Sequence, residues 1–102
     1  MDQIESAVCG VCGVQPNELK SSLRSKRVSS ARMLAMFLSR KLTSAAYSEI
    51  GQYFGGRSHS TVISAQRKVL NWMKNNQSVP VSQSACEIDE AIRRIESQLR
   101  AG

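Results

Sequence analysis

The chain has 102 residues, and its 14 lysines and arginines outnumber 8 aspartates and glutamates to give a formal net charge of +6. This length fits one domain with one modest core, and the 41% apolar content argues against a disordered chain. No apolar run reaches the ~20 residues that span a bilayer, and no signal-peptide layout is present. We therefore expect a cytoplasmic protein without a membrane partner. A small basic domain favours a polyanionic partner, so we expect it to associate with the nucleoid.

The first part of the chain predicts two helices. Asp2 is suited to cap a helix whose apolar residues recur at helical spacing, and Gly13 is suited to end it. Pro16 is tolerated in the first turn of a helix, so a short second helix is expected from there through Leu19.

A basic segment and an apolar segment follow. Residues 21–30 are rich in Ser, Lys and Arg and predict a basic loop, with Ser29 or Ser30 capping the next helix. Residues 33–42 carry apolar side chains on most sides of a helix, which predicts a central helix buried on most sides.

Residues of about 44–74 have the pattern of a helix-turn-helix. Tyr47, Ile50 and Phe54 predict a short helix, and Gly51 inside it indicates a close steric neighbour, such as another helix, because glycine costs a helix about 1 kcal/mol relative to alanine. Two consecutive glycines then predict a turn with positive φ angles. A longer helix follows from residue 58 to 74, with an inner apolar stripe at Val62, Ala65, Val69 and Met73.

The C-terminal part predicts a polar linker and one more helix. Residues 75–83 form the linker, and residues 85–100 form a helix that Ser84 and Glu87 begin with a capping-box spacing. Its apolar stripe is expected to pack back on the bundle, with a dimerising or partner-binding helix as the alternative: Ile88, Ile92, Ile95 and Leu99. The whole chain, residues 1–102, is thus predicted to be one all-α domain, a small helical bundle.

The start of the longer helix is the candidate functional site. The second helix of a helix-turn-helix enters the major groove of DNA and contacts bases with its first residues. Those residues are short and hydrogen-bonding, which suits close approach to base edges: Ser58, His59, Ser60 and Thr61, directly after Arg57. The alternative is that Ser58 only caps the helix and that His59 and Ser60 are simply exposed.

Two stretches make a resemblance specific. AMFLSRKLT at residues 35–43 and EIGQYFGGRSHSTV at residues 49–62 are similar to the patterns AMYL-x-R-x-LT and EIG-x-x-FGGRDH-[ST]-TV of the C-terminal DNA-binding domain of the bacterial replication initiator DnaA. The resemblance extends from Ile4 to about Met73. It implies a Trp-repressor-like helix-turn-helix that binds a duplex box of the TTATCCACA type, as a monomer, in replication initiation or its regulation.

The resemblance also implies a role for each matching residue. Base contacts are implied for Arg24, in the minor groove, and for the start of the recognition helix in the major groove: Ser58, His59, Ser60 and Thr61. Phosphate contacts are implied for six further basic residues: Lys26, Arg27, Arg32, Arg40, Lys41 and Arg57.

Three positions depart from that family's pattern. Ser58 stands where the family has Asp, and a hydroxyl selects a cytosine amine less strictly than a carboxylate does. Ala46 replaces a serine that caps the short helix, so Thr43 or Ser44 would have to take over. Ala31 stands where the family usually has proline.

Other functions compete with this interpretation. The module could belong to a mobile-element or transcription-regulatory protein. Cys9 and Cys12 form a CxxC motif, although the further ligands that a zinc site would need, Cys86 and His59, are distant in the sequence. RNA binding would call for exposed aromatic side chains. We expect no enzyme activity, no cofactor and no small-molecule substrate, and the sequence has no GxxxxGK[ST] phosphate loop.

Overall fold

The computed structural model describes residues 2–21, 25–75, 78–79 and 86–101. In chain order they form α1 (Asp2–Cys12), α2 (Pro16–Leu19), α3 (Lys26–Leu42), α4 (Tyr47–Tyr53), α5 (His59–Lys74), β1 (Ser78–Val79), β2 (Cys86–Glu87) and α6 (Ile88–Ala101). The two short strands pair antiparallel, with Ser78 opposite Glu87. The predicted start of the last helix at residue 85 is therefore wrong, because residues 86–87 pair as a strand and α6 begins only at Ile88. The fold is all-α as expected. None of the helices described is long and apolar enough to cross a membrane. Arg24, Ser84 and most of the predicted linker lie outside the described residues.

Helix α3 forms the centre of the molecule. It packs against α1, α2, α4 and α5, and Leu34, Ala35 and Leu38 are completely buried. These contacts confirm the prediction of a central helix that is buried on most sides, and they make α3 the support on which the helix-turn-helix lies.

The predicted start of α3 is wrong, because the helix begins well inside the segment that was predicted as a loop. Ser25 is the N-cap, and its hydroxyl accepts a hydrogen bond from the backbone N–H of Val28 at 3.3 Å. Val28 is 2% exposed, so the first turn already contributes to the core. The serines at 29 and 30 therefore lie within the helix, where burial outweighs their modest helix propensity.

The first and last helices pack against each other. Ile92 and Ile95 of α6 are buried, and Leu99 is partly buried against the same core. This packing confirms that the apolar stripe of α6 returns to the bundle at Ile92, Ile95 and Leu99, the members of the stripe whose side chains are described. Hydrogen bonds from Tyr53 connect α4 to α1, since its hydroxyl donates to the carboxylates of Asp2 and Glu5.

Helices α4 and α5 form the helix-turn-helix. Gly55 and Gly56 have φ angles of +99° and +71°, which confirms the predicted turn. A Cβ atom on Gly51 would lie 2.1 Å from the carbonyl oxygen of Arg57. Gly51 therefore has the predicted steric reason, although the close neighbour is the backbone of the turn and not another helix.

Candidate nucleic-acid interface

The N-terminus of α5 is open and rich in hydrogen-bonding groups. Ser58 is the N-cap, and its hydroxyl accepts from the backbone N–H of Thr61 at 3.4 Å and lies 3.2 Å from the hydroxyl of Thr61. His59, Ser60 and Thr61 are exposed. The first turn of a helix carries unpaired N–H groups and the positive end of the helix dipole, so this surface is suited to bases or phosphates of a nucleic acid.

A groove of about 290 Å³ lies beside this helix end, between α3 and α5. Met33, Met36 and Ala65 contribute apolar lining, and the polar lining combines hydroxyls with cations: Ser29, Arg32, Arg57, Thr61, Ser64 and Lys68. The groove thus brings together three residues that the sequence predicted for the site, Arg32, Arg57 and Thr61.

The sequence interpretation missed three residues that line the groove. Ser64 and Lys68 are exposed on the same face of α5 as Thr61, at a spacing of three and then four residues. That helical spacing is a signal that could have identified them. Ser29 contributes from α3, and only the correct start of that helix would have placed it there.

Arg57 is half-buried, and its guanidinium donates to backbone carbonyl oxygens of other residues of the chain. Its Nη1 donates to the carbonyl oxygen of Phe54, and its Nη2 donates to that of Ser21 at 2.5 Å. Two donors of this guanidinium are therefore used within the protein, although the sequence predicted a phosphate contact.

Arg32 lies even further inside the protein, with 8% of its surface exposed. Its guanidinium donates to the carbonyl oxygens of Leu19 at 2.8 Å, Ser21 at 3.0 Å and Glu18 at 3.2 Å. Burial, and then the nearby positive charge of Arg57, lower the pKa of Arg32 from its usual value. The side chain that was predicted for a phosphate thus binds the end of α2.

Four of the predicted cations lie outside the lining of the groove: Lys26, Arg27, Arg40 and Lys41. Arg40 donates to the carbonyl oxygen of Ala45 at 2.9 Å and lies over the ring of Tyr47 at 4.4 Å, so it joins the end of α3 to the start of α4. Lys26 and Lys41 are exposed, and Arg27 is half-buried. No structural description applies to Arg24, which lies outside the described residues.

The N-terminus of α4 has no side-chain cap. Ala46 occupies the N-cap position, and its backbone N–H donates to the carboxylate of Glu49 at 3.1 Å. The hydroxyl of Thr43 accepts from the backbone N–H of Ala45 at 3.2 Å, one residue before that cap. Thr43 thus orders the loop before α4 without replacing the missing cap.

The CxxC motif lies on α1. Cys12 is completely buried and Cys9 is half-buried. Burial, followed by the negative charges of Glu5 and Glu18, raises the pKa of the Cys9 thiol, whereas reactive and metal-binding thiols have lowered pKa values. In the described part of the chain, no three His, Cys, Asp or Glu side chains lie close enough to hold a metal ion; the side chain of Cys86 is not among those described.

Comparison with known proteins identifies the family. Residues 1–69 match the family described as "Bacterial dnaA protein helix-turn-helix". The chain is 36% identical over 98 residues to the chromosomal replication initiator protein DnaA of Thermodesulfovibrio yellowstonii, which covers 96% of this chain and 21% of that protein. It is also 36% identical over 81 residues to the DnaA protein of Streptococcus pyogenes serotype M5, with 79% of this chain and 18% of that protein covered.

The similarity to these two relatives covers only part of their length. The chain spans about a fifth of the length of the curated relatives that it matches. The matched residues 1–69 include α1 to α4, the turn and most of α5, which carries the exposed helix end. The chain therefore belongs to the bacterial DnaA helix-turn-helix family.

Proposed function

We propose that this chain binds double-stranded DNA sequence-selectively and acts in replication initiation or its regulation. The observation that carries the proposal is the N-terminus of α5, which presents His59, Ser60 and Thr61 to solvent next to a groove lined by cations and hydroxyls. A helix end of this kind fits the major groove, where side chains of this length contact base edges.

The proposed contacts divide into base contacts and phosphate contacts. His59, Ser60 and Thr61 contact bases in the major groove, and Arg24 contacts the adjacent minor groove. Ser58 adds a weaker base contact, because its hydroxyl also caps α5. The exposed Lys26, Lys41 and Lys68 bind phosphates, which fix the position of the protein on the duplex without selecting a sequence.

The relatives support the proposed role in replication. Both proteins compared above are named chromosomal replication initiators, and the part of them that matches this chain is a DNA-binding fold. A duplex box of the TTATCCACA type is the proposed target. Because such a box is not palindromic, we propose that one copy of the chain binds one box.

The replacement His59→Ala tests the proposed major-groove contact. The variant should lose about 1–3 kcal/mol of binding free energy for a TTATCCACA duplex, the range for one good base contact. Its affinity for a scrambled duplex should change little, because phosphate contacts supply that binding. Fluorescence anisotropy titrations of both labelled duplexes measure the two affinities.

Ser97→Ala is the matched control, because Ser97 is exposed on α6 and lines a pocket formed by residues of α1 and α6, not of the helix-turn-helix. It should bind both duplexes as the unchanged protein does. If His59→Ala weakens binding to the two duplexes by the same factor, His59 makes no sequence-selective contact and the proposed orientation of α5 is wrong.

A further inference from the structure

Two guanidinium groups converge on one backbone carbonyl at the end of α2. The carbonyl oxygen of Ser21 accepts from Nη2 of Arg57 at 2.5 Å and from Nη2 of Arg32 at 3.0 Å. Arg32 extends the contact along the chain through the carbonyl oxygens of Glu18 and Leu19. The backbone from Glu18 to Ser21 is therefore attached both to the central helix α3 and to the turn before α5.

The same backbone also touches the turn directly. A Cβ atom on Gly55 would lie 2.3 Å from the carbonyl oxygen of Lys20, so no side chain fits between the two backbones. Arg57 spans this contact, because its Nη1 donates to Phe54 on the side of the turn and its Nη2 to Ser21 on the other side. The backbone contact between Gly55 and Lys20 and the guanidinium bridge of Arg57 therefore join the same two segments, the end of α2 and the turn before α5.

This place lies at the start of the basic segment. Ser21 is the last described residue before residues 22–24, and Ser25, the N-cap of α3, is the first one after them. Arg57 itself directly precedes Ser58, the N-cap of the recognition helix. One side chain thus connects the start of the basic segment to the start of α5.

We propose that Arg57, together with Arg32, is a positioning residue that fixes the start of the basic segment relative to the recognition helix and does not bind phosphate. On this proposal, which rests on the proposed function, the bridge sets the relative position of the minor-groove and major-groove contacts on one duplex. Selectivity for the duplex box then depends on the planar, two-pronged shape of the guanidinium, and not on its charge alone.

The variants Arg57→Lys and Arg57→Gln separate shape from charge. A lysine ammonium keeps the charge but lacks the planar fork that spans two carbonyl oxygens. A positioning role predicts that both variants lower the ratio of affinities for the TTATCCACA and scrambled duplexes by a similar factor, about tenfold or more. For Arg57→Gln, the slope of log affinity against log salt concentration should equal that of Arg93→Gln, a charge-matched control at an exposed position on α6.

A phosphate contact predicts different results. Arg57→Lys would then bind nearly as the unchanged protein does. Arg57→Gln would lower the affinity for both duplexes and reduce the magnitude of the salt slope by about 0.9, the value for one phosphate. Either result overturns the proposal.

Amide hydrogen exchange in the DNA-free protein tests the bridge separately from DNA binding. The N–H groups of Lys20 and Ser21 donate to the carbonyl oxygens of Pro16 and Glu18 at 3.3 and 3.2 Å. Both variants should speed exchange at these two amides and leave exchange in α6 unchanged. If exchange at Lys20 and Ser21 stays the same in both variants, the proposed bridge is wrong. If the protein without any substitution shows no selectivity for the duplex box, the proposed function itself is wrong.

Discussion

Gly51 and Gly55 stand where the helix-turn-helix touches its own neighbouring backbone. A Cβ atom on Gly51 would lie 2.1 Å from the carbonyl oxygen of Arg57, and one on Gly55 would lie 2.3 Å from that of Lys20. Backbone atoms cannot move aside as the end of a flexible side chain can. The two glycines therefore fix how closely α4, the turn and the end of α2 approach each other.

The replacement Gly51→Ala should lower the free energy of unfolding by about 1–3 kcal/mol, the usual cost of an overpacked site. Gly10→Ala is the matched control on α1, because its Cβ atom would meet only the flexible side-chain amide of Gln98, whose Oε1 lies nearest at 3.0 Å. That variant should keep its stability or gain up to about 1 kcal/mol from helix propensity. Urea denaturation measures both, and equal stability of the two variants would contradict the steric role of Gly51.

The basic residues show what a sequence can and cannot predict about a binding site. The charge of Arg32 and Arg57 is evident from the sequence, but the partner of each guanidinium depends on which backbone carbonyls the fold brings near. The guanidinium groups of Arg32 and Arg57 both donate to the carbonyl oxygen of Ser21. This carbonyl is 11 residues from Arg32 and 36 residues from Arg57 in the sequence. Local composition carries no information on such a contact.

At the scale of the elements, the helix ends decide how well the sequence predicts the limits of each helix. Helix α5 was predicted to within one residue of its start and with its correct end, because the glycine turn precedes it and Ser58, its N-cap, is a strong start signal. The start of α3 was predicted too late because serine and basic residues dominate its first turn. The cap at Ser25 and the burial of Val28 show that this turn belongs to the helix. Patterns of apolar spacing thus identify helices well, while their ends require the capping contacts.

The cap of the recognition helix has a measurable effect on stability. Ser58→Ala should lower the free energy of unfolding by about 1 kcal/mol, because the hydroxyl that accepts from the N–H of Thr61 is lost. Ser58→Asp should keep the cap, since a carboxylate also accepts this bond and is stabilised near a helix N-terminus. Chemical denaturation measures both changes.

Ser60→Ala serves as the comparison in the same helical turn, because Ser60 is exposed and is not the cap. Its stability should stay close to that of the unchanged protein. A loss in Ser60→Ala as large as that in Ser58→Ala would show that the hydroxyl of Ser58 has no special role at the helix end.

At the scale of the whole molecule, the proposed DNA-binding surface combines distant parts of the chain. The groove between α3 and α5 joins residues from Ser29 to Lys68, and the sequence could indicate its two helices but not the space between them. The packing of α1 against α6 closes the bundle elsewhere, and the net charge of +6 leaves the whole chain attracted to polyanions. Such attraction binds any duplex in a salt-dependent way, so selectivity must come from base contacts, which we propose for the helix end and for Arg24.

The most direct test of the proposed function compares two duplexes with the unchanged protein. Fluorescence anisotropy titrations with a TTATCCACA duplex and a scrambled duplex, each at two salt concentrations, give both affinities and their salt dependence. We expect binding to the TTATCCACA duplex at least ~10³-fold tighter than to the scrambled one, the lower limit for specific protein–DNA complexes. Equal, salt-sensitive binding to both duplexes would contradict sequence-selective recognition, and binding to neither would contradict DNA binding itself.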